Sequence, residues 1–272
     1  MNAIPATADQ AELPVNSFNV TWGLWTVLRL CEDPNIKTVL DIGSGAGEQT
    51  RLLRMFGKEV YTTDIHTLSD FPGDFMQIDF GRQFDAVICS HVLEHQRNVG
   101  SFLDKMISLV PDGGTIAIAV PYHTQNNIVL GHLTVWSVNL LLYNLVQAGL
   151  NCEHAACMQD NEITVVVKKQ PIDPALMVGS EWDANDVGQE GIKTPWFDTL
   201  AVLDQLFPHR HNLGVSDTER SYAFNWSENF SLPCPVEEND IAIITNKSER
   251  PVVLRYDQLK TAAAMRESNN NK

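Results

Sequence analysis

The chain has 272 residues, 44% of them hydrophobic, and a formal net charge of −15 from 19 basic and 34 acidic side chains. That length buries a sizeable core, as one large domain or a domain with a smaller module, and the composition excludes wholesale disorder. A surface this acidic repels phosphate backbones and anionic lipid, so nucleic acid is not an expected partner.

The five cysteines (Cys31, Cys89, Cys152, Cys157, Cys234) are odd in number and lack a CxxC pair. They read as reduced thiols of a soluble, cytoplasmic chain, not as a disulfide framework or a zinc knuckle. Residues 1–16 have no basic flank leading into an apolar run, so they are expected to be a flexible tail and not a signal peptide. Residues 21–30 form a helix packed onto a sheet ahead of its first strand. The sheet begins with a strand over residues 37–42, running straight into glycines. A helix over 48–56 follows, stopped by Gly57, and then a strand over 60–63 that ends at Asp64. A weaker extended piece at 76–78 precedes Asp79. Residues 84–90 are continuously apolar after Asp85, as expected for a strand buried on both faces.

A helix over 101–110 carries Phe102, Leu103, Met106, Ile107 and Val110 on one face, with Ser101 and Asp104 able to cap it. Pro111-Asp112-Gly113-Gly114 turns into a strand over 115–120. The longest apolar region, residues 128–150, is broken by Gly131, His132, Ser137, Asn139 and Asn144. It reads as a buried helix over 133–148, not as a membrane span, so no integral membrane contact is expected. Strands near 151–158 and 163–168 make a hairpin. The pattern predicts an α/β domain over residues 17–169, with a doubly wound, mostly parallel seven-stranded sheet closed by an antiparallel hairpin. Residues 170–260 form a C-terminal α+β annex with a strand pair at 241–245 and 252–256. It shapes the substrate site or makes an oligomer contact, which leaves a homo-oligomer open. Its Trp182, Trp196 and Trp226 are expected to fill a small core more than to stack on a sugar, and residues 261–272 to be a disordered tail.

The chemistry is concentrated in Asp41-Ile42-Gly43-Ser44-Gly45-Ala46-Gly47, where a strand ends and a helix opens. Glycines there let the backbone turn sharply and let a ligand approach main-chain amides. The spacing is Gly-x-Gly-x-Gly, unlike the dinucleotide fingerprint Gly-x-Gly-x-x-Gly. Asp64 closes the next strand, where a carboxylate accepts hydrogen bonds from the two hydroxyls of a ribose. Asp79, in Ile78-Asp79-Phe80, is placed to take an adenine amine beside an aromatic ring.

With Phe84-Asp85-Ala86-Val87 running on to His91-Val92-Leu93-Glu94-His95, residues 37–169 resemble the class I S-adenosylmethionine-dependent methyltransferases. The likeness lies with the broad group whose fourth strand reads Phe-Asp-x-Val and then Val-Leu-Glu-His, and the Pro111–Gly114 turn fits it too. It implies a Rossmann-like fold and S-adenosyl-L-methionine as cofactor. Asp41, Gly43, Ser44, Gly45 and Gly47 would then face the amino-acid part of the cofactor and Asp64 the ribose. Asp79 would lie at the adenine and Ser90 and His91 beside the methionine. Ile65 and Phe80 complete the expected cofactor-binding set.

The same stretch is literally H-x-x-E-H, an inverted zinc-peptidase signature. It leaves a buried strand and runs into the polar break 96–100, where no long helix could hold two histidines on one face. No metal is therefore expected, and His95 is read as fastening the loop after the strand.

Methyl transfer is an in-line displacement, and a hydroxyl acceptor benefits from a base. Substrate contacts in open α/β sheets come from the carboxyl ends of strands, which nominates His91, His123 and His132 as catalytic candidates without choosing among them. The segment Gly131-His132-Leu133-Thr134-Val135-Trp136-Ser137, with the helix after it, resembles methyltransferases of bacterial polysaccharide gene clusters. That resemblance implies a sugar hydroxyl in a glycan precursor as acceptor, with a small-molecule or natural-product acceptor as the alternative. A non-catalytic cofactor- or partner-binding protein is a third reading, against which the intact Asp41, Gly43, Gly45, Asp64 and Asp79 argue.

Overall fold

The structure is a computed structural model that describes residues 16–122, 129–159, 162–170, 222–226, 241–245 and 252–255. After a short strand β1 (Asn16–Asn19), helix α1 (Leu24–Glu32) starts at Gly23, whose φ of 68° suits a residue without a side chain. Leu24, Val27, Leu28 and Cys31 recur at helical spacing, and all are buried against the sheet. The core of the sheet is then laid down in order: β2 (Thr38–Ile42), α2 (Glu48–Met55), β3 (Glu59–Asp64), β4 (Phe71–Pro72) and β5 (Ala86–Ser90). It continues with α3 (Val99–Ser108), β6 (Thr115–Pro121), α4 (Val138–Gln147), β7 (Ala156–Gln159) and β8 (Glu162–Lys168).

Strand order is β4-β3-β2-β5-β6-β8-β7, with β8 antiparallel to β6 and to β7 and the remaining pairs parallel. This is the expected seven-stranded, doubly wound sheet. An eighth strand, β9 (Tyr222–Phe224), comes from the annex and pairs with the edge of β7. The annex strands β10 (Ile241–Thr245) and β11 (Val252–Arg255) pair with each other, as the pattern predicts, and β10 takes β1 as a parallel partner. Strands from residues 222–255 therefore pair with both β7 and β1. Trp226 also packs on α1, with the Arg29 guanidinium 4.5 Å from its ring centroid. It is partly buried against the apolar cluster under α1 and α2; Trp182 and Trp196 lie outside the described residues.

One apolar cluster fills the face covered by α3 and α4, and a second the face covered by α1 and α2. Every residue of β6 is buried, which explains why it carries no polar alternation. Cys31, Cys89, Cys152 and Cys157 are free thiols inside these cores, and burial pushes the Cys152 pKa up to about 12. Among the described residues no helix is long and apolar enough to cross a membrane.

Three local expectations need correction. The piece at 76–78 is no strand. The sheet edge is the two-residue β4, and Phe75–Gln77 is a 3-10 turn whose first N–H groups need a cap; Asp74 supplies it to Met76 N. Helix α3 starts two residues before Ser101, at Val99, and its N-cap Asn98 makes no side-chain cap bond. Helix α4 begins at Val138 and not at 133, because Ser137 caps it by accepting from Leu140 N at 3.2 Å.

Asp85 of the Phe-Asp-x-Val motif works at the opposite edge from any ligand. Its Oδ2 accepts from Lys37 N (2.9 Å), Thr38 N (2.8 Å) and Thr38 Oγ1 (3.1 Å), while Asp85 N donates to Thr38 Oγ1. Desolvation alone would raise its pKa, but these bonds outweigh it and hold the carboxyl below its usual value. The motif thus staples the start of β5 to the start of β2. Asp85→Ala is expected to lower stability by about 1–3 kcal/mol in urea titrations while leaving ligand binding unchanged.

Candidate functional site

The carboxyl ends of β2, β3 and β5 lie side by side, and the site grows from β2. After Ile42 the chain turns through Gly43 (φ 73°), Gly45 (φ 54°) and Gly47 (φ 77°), conformations that cost an L side chain free energy. A glycine is required at 43 twice over, by its positive φ and by its closeness to Val92. Gly43 N donates to Thr63 O at 2.8 Å, and a Cβ on Gly43 would lie 2.2 Å from Val92 Cγ2. Gly45 and Gly47 differ: a Cβ on either would meet nothing within 4 Å. Their left-handed backbone faces open space, while the Gly45 and Gly47 amides are spent on Asp64 Oδ2 and Ser44 O.

Two carboxylates brace this loop. Asp41 is 1% exposed, and its Oδ2 accepts from Thr50 Oγ1 in the first turn of α2. Burial pushes its pKa up to about 6, against the Thr50 bond and with a further push from the Asp64 charge. Asp64 Oδ2 accepts from Gly45 N at 3.0 Å, and Oδ1 from His66 N (2.7 Å) and Thr67 N (2.9 Å). Desolvation would raise the Asp64 pKa; the N–H donors outweigh it and lower it. Asp64 therefore stays ionised and latches the glycine loop to the end of β3, next to Ile65, which is 62% exposed.

Asp79 and Phe80 are not brought to this loop. Asp79 Oδ1 accepts from Gly81 N at 3.0 Å, and the residue lines a concavity with Arg82, Gln83 and Lys105 that shares no residue with the one along the glycine loop. Phe80 is buried in an aromatic cluster, 5.0 Å from the Phe71 centroid and 5.7 Å from that of Phe75. Lys105 Nζ donates to Ile78 O at 2.6 Å, which ties the segment to α3.

At the end of β5, Ser90 lies against Gly23, where a Cβ would come within 2.4 Å of Ser90 Oγ. His91 follows with φ 54°, rare for a residue with a side chain, although His91 N still donates to Ala119 O. This turn aims the ring at two carboxylates: Nε2 is 3.0 Å from Glu162 Oε2 and Nδ1 3.5 Å from Glu94 Oε1. Glu162 is fully buried, and it also accepts from Gly23 N at 2.9 Å. Trp22 closes the arrangement, its ring 4.6 Å from that of His91.

Sequence reasoning missed Glu162 and Trp22. The register of β8 puts Glu162 opposite Pro121, at the carboxyl edge of β6, a place visible only once the hairpin is paired. The polar alternation Glu162-x-Thr164 was the available signal.

His132 lies across from this turn. Its ring meets that of His95 edge to face at 4.9 Å. His95 Nδ1 is 2.8 Å from Gly131 O, so His95 does fasten a loop, the one carrying His132. Glu94 O accepts from Leu133 N and Thr134 N, fixing the same loop. His91, His95, His132 and Glu94 thus converge beside the glycine loop. His123 lies outside the described residues.

Residues 25–154 match a family described as a methyltransferase domain. The match runs from α1 to the turn before β7 and includes the glycine loop, Asp64 and the His91–His95 turn. Just under half of the chain is thus similar to a methyltransferase domain. No curated protein is significantly similar in sequence to the chain.

Solved structures are similar to about half of the chain. The 1,6-didemethyltoxoflavin N1-methyltransferase of Burkholderia thailandensis, determined with 1,6-didemethyltoxoflavin and S-adenosylhomocysteine, is 16% identical at a TM-score of 0.46. That match covers 54% of this chain and 78% of the other. A SAM-dependent methyltransferase from Archaeoglobus fulgidus is 16% identical at 0.46, over 54% and 94% of the two chains. A sugar N-methyltransferase from Streptoalloteichus is 15% identical at 0.42, over 54% and 86%.

Two outcomes follow from this geometry. Gly43→Ala must move Val92 or the loop, and is expected to cost at least about 1–3 kcal/mol in urea unfolding, as overpacked sites do. Asp41 has a folded pKa raised from 3.8 to about 6, so the folded state holds the proton more tightly and stability falls as pH rises toward 6. The stability of Asp41→Asn relative to the unsubstituted chain should therefore rise between pH 5 and pH 7 in parallel urea titrations.

Proposed function

We propose that the chain transfers the methyl group of S-adenosyl-L-methionine to a hydroxyl of a sugar, as part of a glycan or polysaccharide precursor. The observation that carries this reading is the convergence of two built parts on neighbouring strand ends. An open glycine loop latched by Asp64 lies on one side, and the Glu94–His95–His132 group on the other. The resemblance of residues 131–149 to polysaccharide-cluster methyltransferases supports the sugar.

In this reading Asp41 would face the cofactor's ammonium, Asp64 its ribose hydroxyls, and the exposed side chain of Ile65 its adenine. Ser90 and the His91 turn face the sulfonium end. Bound there, the cofactor would supply an electrophilic methyl group to an acceptor hydroxyl, whose proton would pass to solvent as S-adenosylhomocysteine is released. His91 is assigned a positioning role, because both its ring nitrogens are directed at carboxylates. The acceptor is handled by His132 and its neighbours. The setting we propose is the cytoplasm, in keeping with the buried, free thiols.

Calorimetric titration with S-adenosylmethionine tests the cofactor half. One site per chain is expected, weakened at least tenfold by Asp64→Ala but less than threefold by Asp79→Ala, whose carboxylate serves Gly81. Binding an ammonium favours ionised Asp41, so affinity should be flat above pH 6 and fall up to tenfold per unit below it. Turnover assays with nucleotide sugars, lipid-linked glycans and non-carbohydrate alcohols test the acceptor half. Turnover with the non-carbohydrate set alone would overturn the sugar assignment.

A further inference from the structure

The H-x-x-E-H stretch takes a different form from the helix that its peptidase reading requires. His91 leaves β5 in the left-handed region, and Leu93–His95 is a single 3-10 turn, so His91 and His95 never share a helix face. His95 instead meets His132, which lies 37 positions further on. Glu94, His95 and His132 each bring one ligand atom to within 4.8 Å of the other two, and Glu94 Oε1 is 3.8 Å from His95 Nε2.

We propose that Glu94, His95 and His132 bind a divalent transition-metal ion, with coordination positions left open for hydroxyl oxygens of the acceptor.

Three features build this site beyond proximity. The first is orientation. His95 Nδ1 lies 2.8 Å from Gly131 O, a carbonyl that can only accept, so Nδ1 carries a proton and Nε2 is the nitrogen turned toward Glu94 and available to a metal. A backbone carbonyl behind a ligating imidazole is how metal-binding histidines are commonly fixed. The second is rigidity. Leu133 N (2.8 Å) and Thr134 N (3.2 Å) donate to the carbonyl of Glu94 itself, so the loop bearing His132 is fastened to the turn bearing the other two ligands. The third is electrostatic. Glu94 is 1% exposed, and a carboxylate so deeply buried gains from a cation at its oxygen.

Two imidazole nitrogens and one carboxylate oxygen suit zinc, cobalt or manganese better than calcium or magnesium, which prefer oxygen alone. Ligand atoms about 2.0–2.2 Å from an ion lie about 3–3.6 Å apart, so modest side-chain rotation closes the cluster. The His95 side chain is 45% exposed, which leaves the outer side open to an incoming oxygen. A hydroxyl held on such an ion gives up its proton to solvent more readily than a free one. That use in catalysis rests on the methyl-transfer reading; the binding of the ion does not.

The test uses the full, untagged chain after dialysis against a chelator. Cobalt(II) is titrated in while its visible d–d absorption is followed, and zinc(II) is then used to displace it. One ion per chain is expected, with affinity at least tenfold lower in His95→Ala and in His132→Ala. The exposed His154→Ala should bind like the unsubstituted chain. Circular dichroism checks folding, and His95→Gln or His132→Gln replaces an alanine variant that does not fold. No stoichiometric ion on the folded chain, or unchanged affinity in both variants, overturns the proposal. S-adenosylmethionine binding is measured on the same samples. Cofactor binding without metal binding would remove the ion site alone; metal binding without cofactor binding would remove the methyl-transfer reading alone.

Discussion

The contact between Gly43 and Val92 is the constraint on which the site depends. β2 and β5 are hydrogen-bonded neighbours, and both chains must turn at the same edge of the sheet. They do so only because Gly43 has no side chain: its Cα lies where any Cβ would run into Val92. The loop that would hold the cofactor and the turn that carries His91, Glu94 and His95 are thereby nested against each other. In the proposed site, Gly43 and Val92 would set the distance between donor and acceptor sides before any ligand arrives.

Charge is the second ordering principle. Asp41, Glu94 and Glu162 are buried carboxylates within one edge of the sheet, an arrangement that costs folding free energy unless each finds donors. Thr50 serves Asp41, while His91 and Gly23 N serve Glu162. The same bonds bring Trp22 over His91, so the segment before α1 becomes part of the site wall. Stability is given up at this edge to hold negative charge where a sulfonium, an ammonium or a metal ion would be met. The rest of the sheet, with β6 wholly buried and Asp85 stapling the far edge, supplies the compensating stability.

What could be read in the sequence follows from how local each signal is. β2, its glycine turn and α2 were legible because a doubly buried strand, positive-φ glycines and an amphipathic helix each leave a mark within a few residues. β5 and the antiparallel hairpin were legible for the same reason. β4 was not, since two residues, one of them Pro72, carry no period. The start of α3 was misplaced because Ser101 and Asp104 look like caps, whereas Asn98 makes no side-chain cap bond at all. In the site, Asp41, Gly43 and Asp64 could be found from one contiguous motif and the next strand end. Glu162 and the His95–His132 pair could not. Each depends on register or loop packing between positions at least 37 apart, which no single-sequence pattern encodes. Asp79 shows the converse: a residue in the right order along the chain whose carboxylate accepts from the nearby Gly81 N and lines a separate concavity.

The claim that the cofactor loop and the histidine–glutamate turn form one site is met most directly by a crystal structure with S-adenosylhomocysteine bound. The account predicts the amino-acid part over Gly43–Gly47, the ribose hydroxyls on Asp64, and the sulfur directed toward Ser90, His91 and the Glu94–His95–His132 group. A product molecule seated instead in the concavity of Asp79, Arg82 and Lys105, with the glycine loop empty, would contradict it.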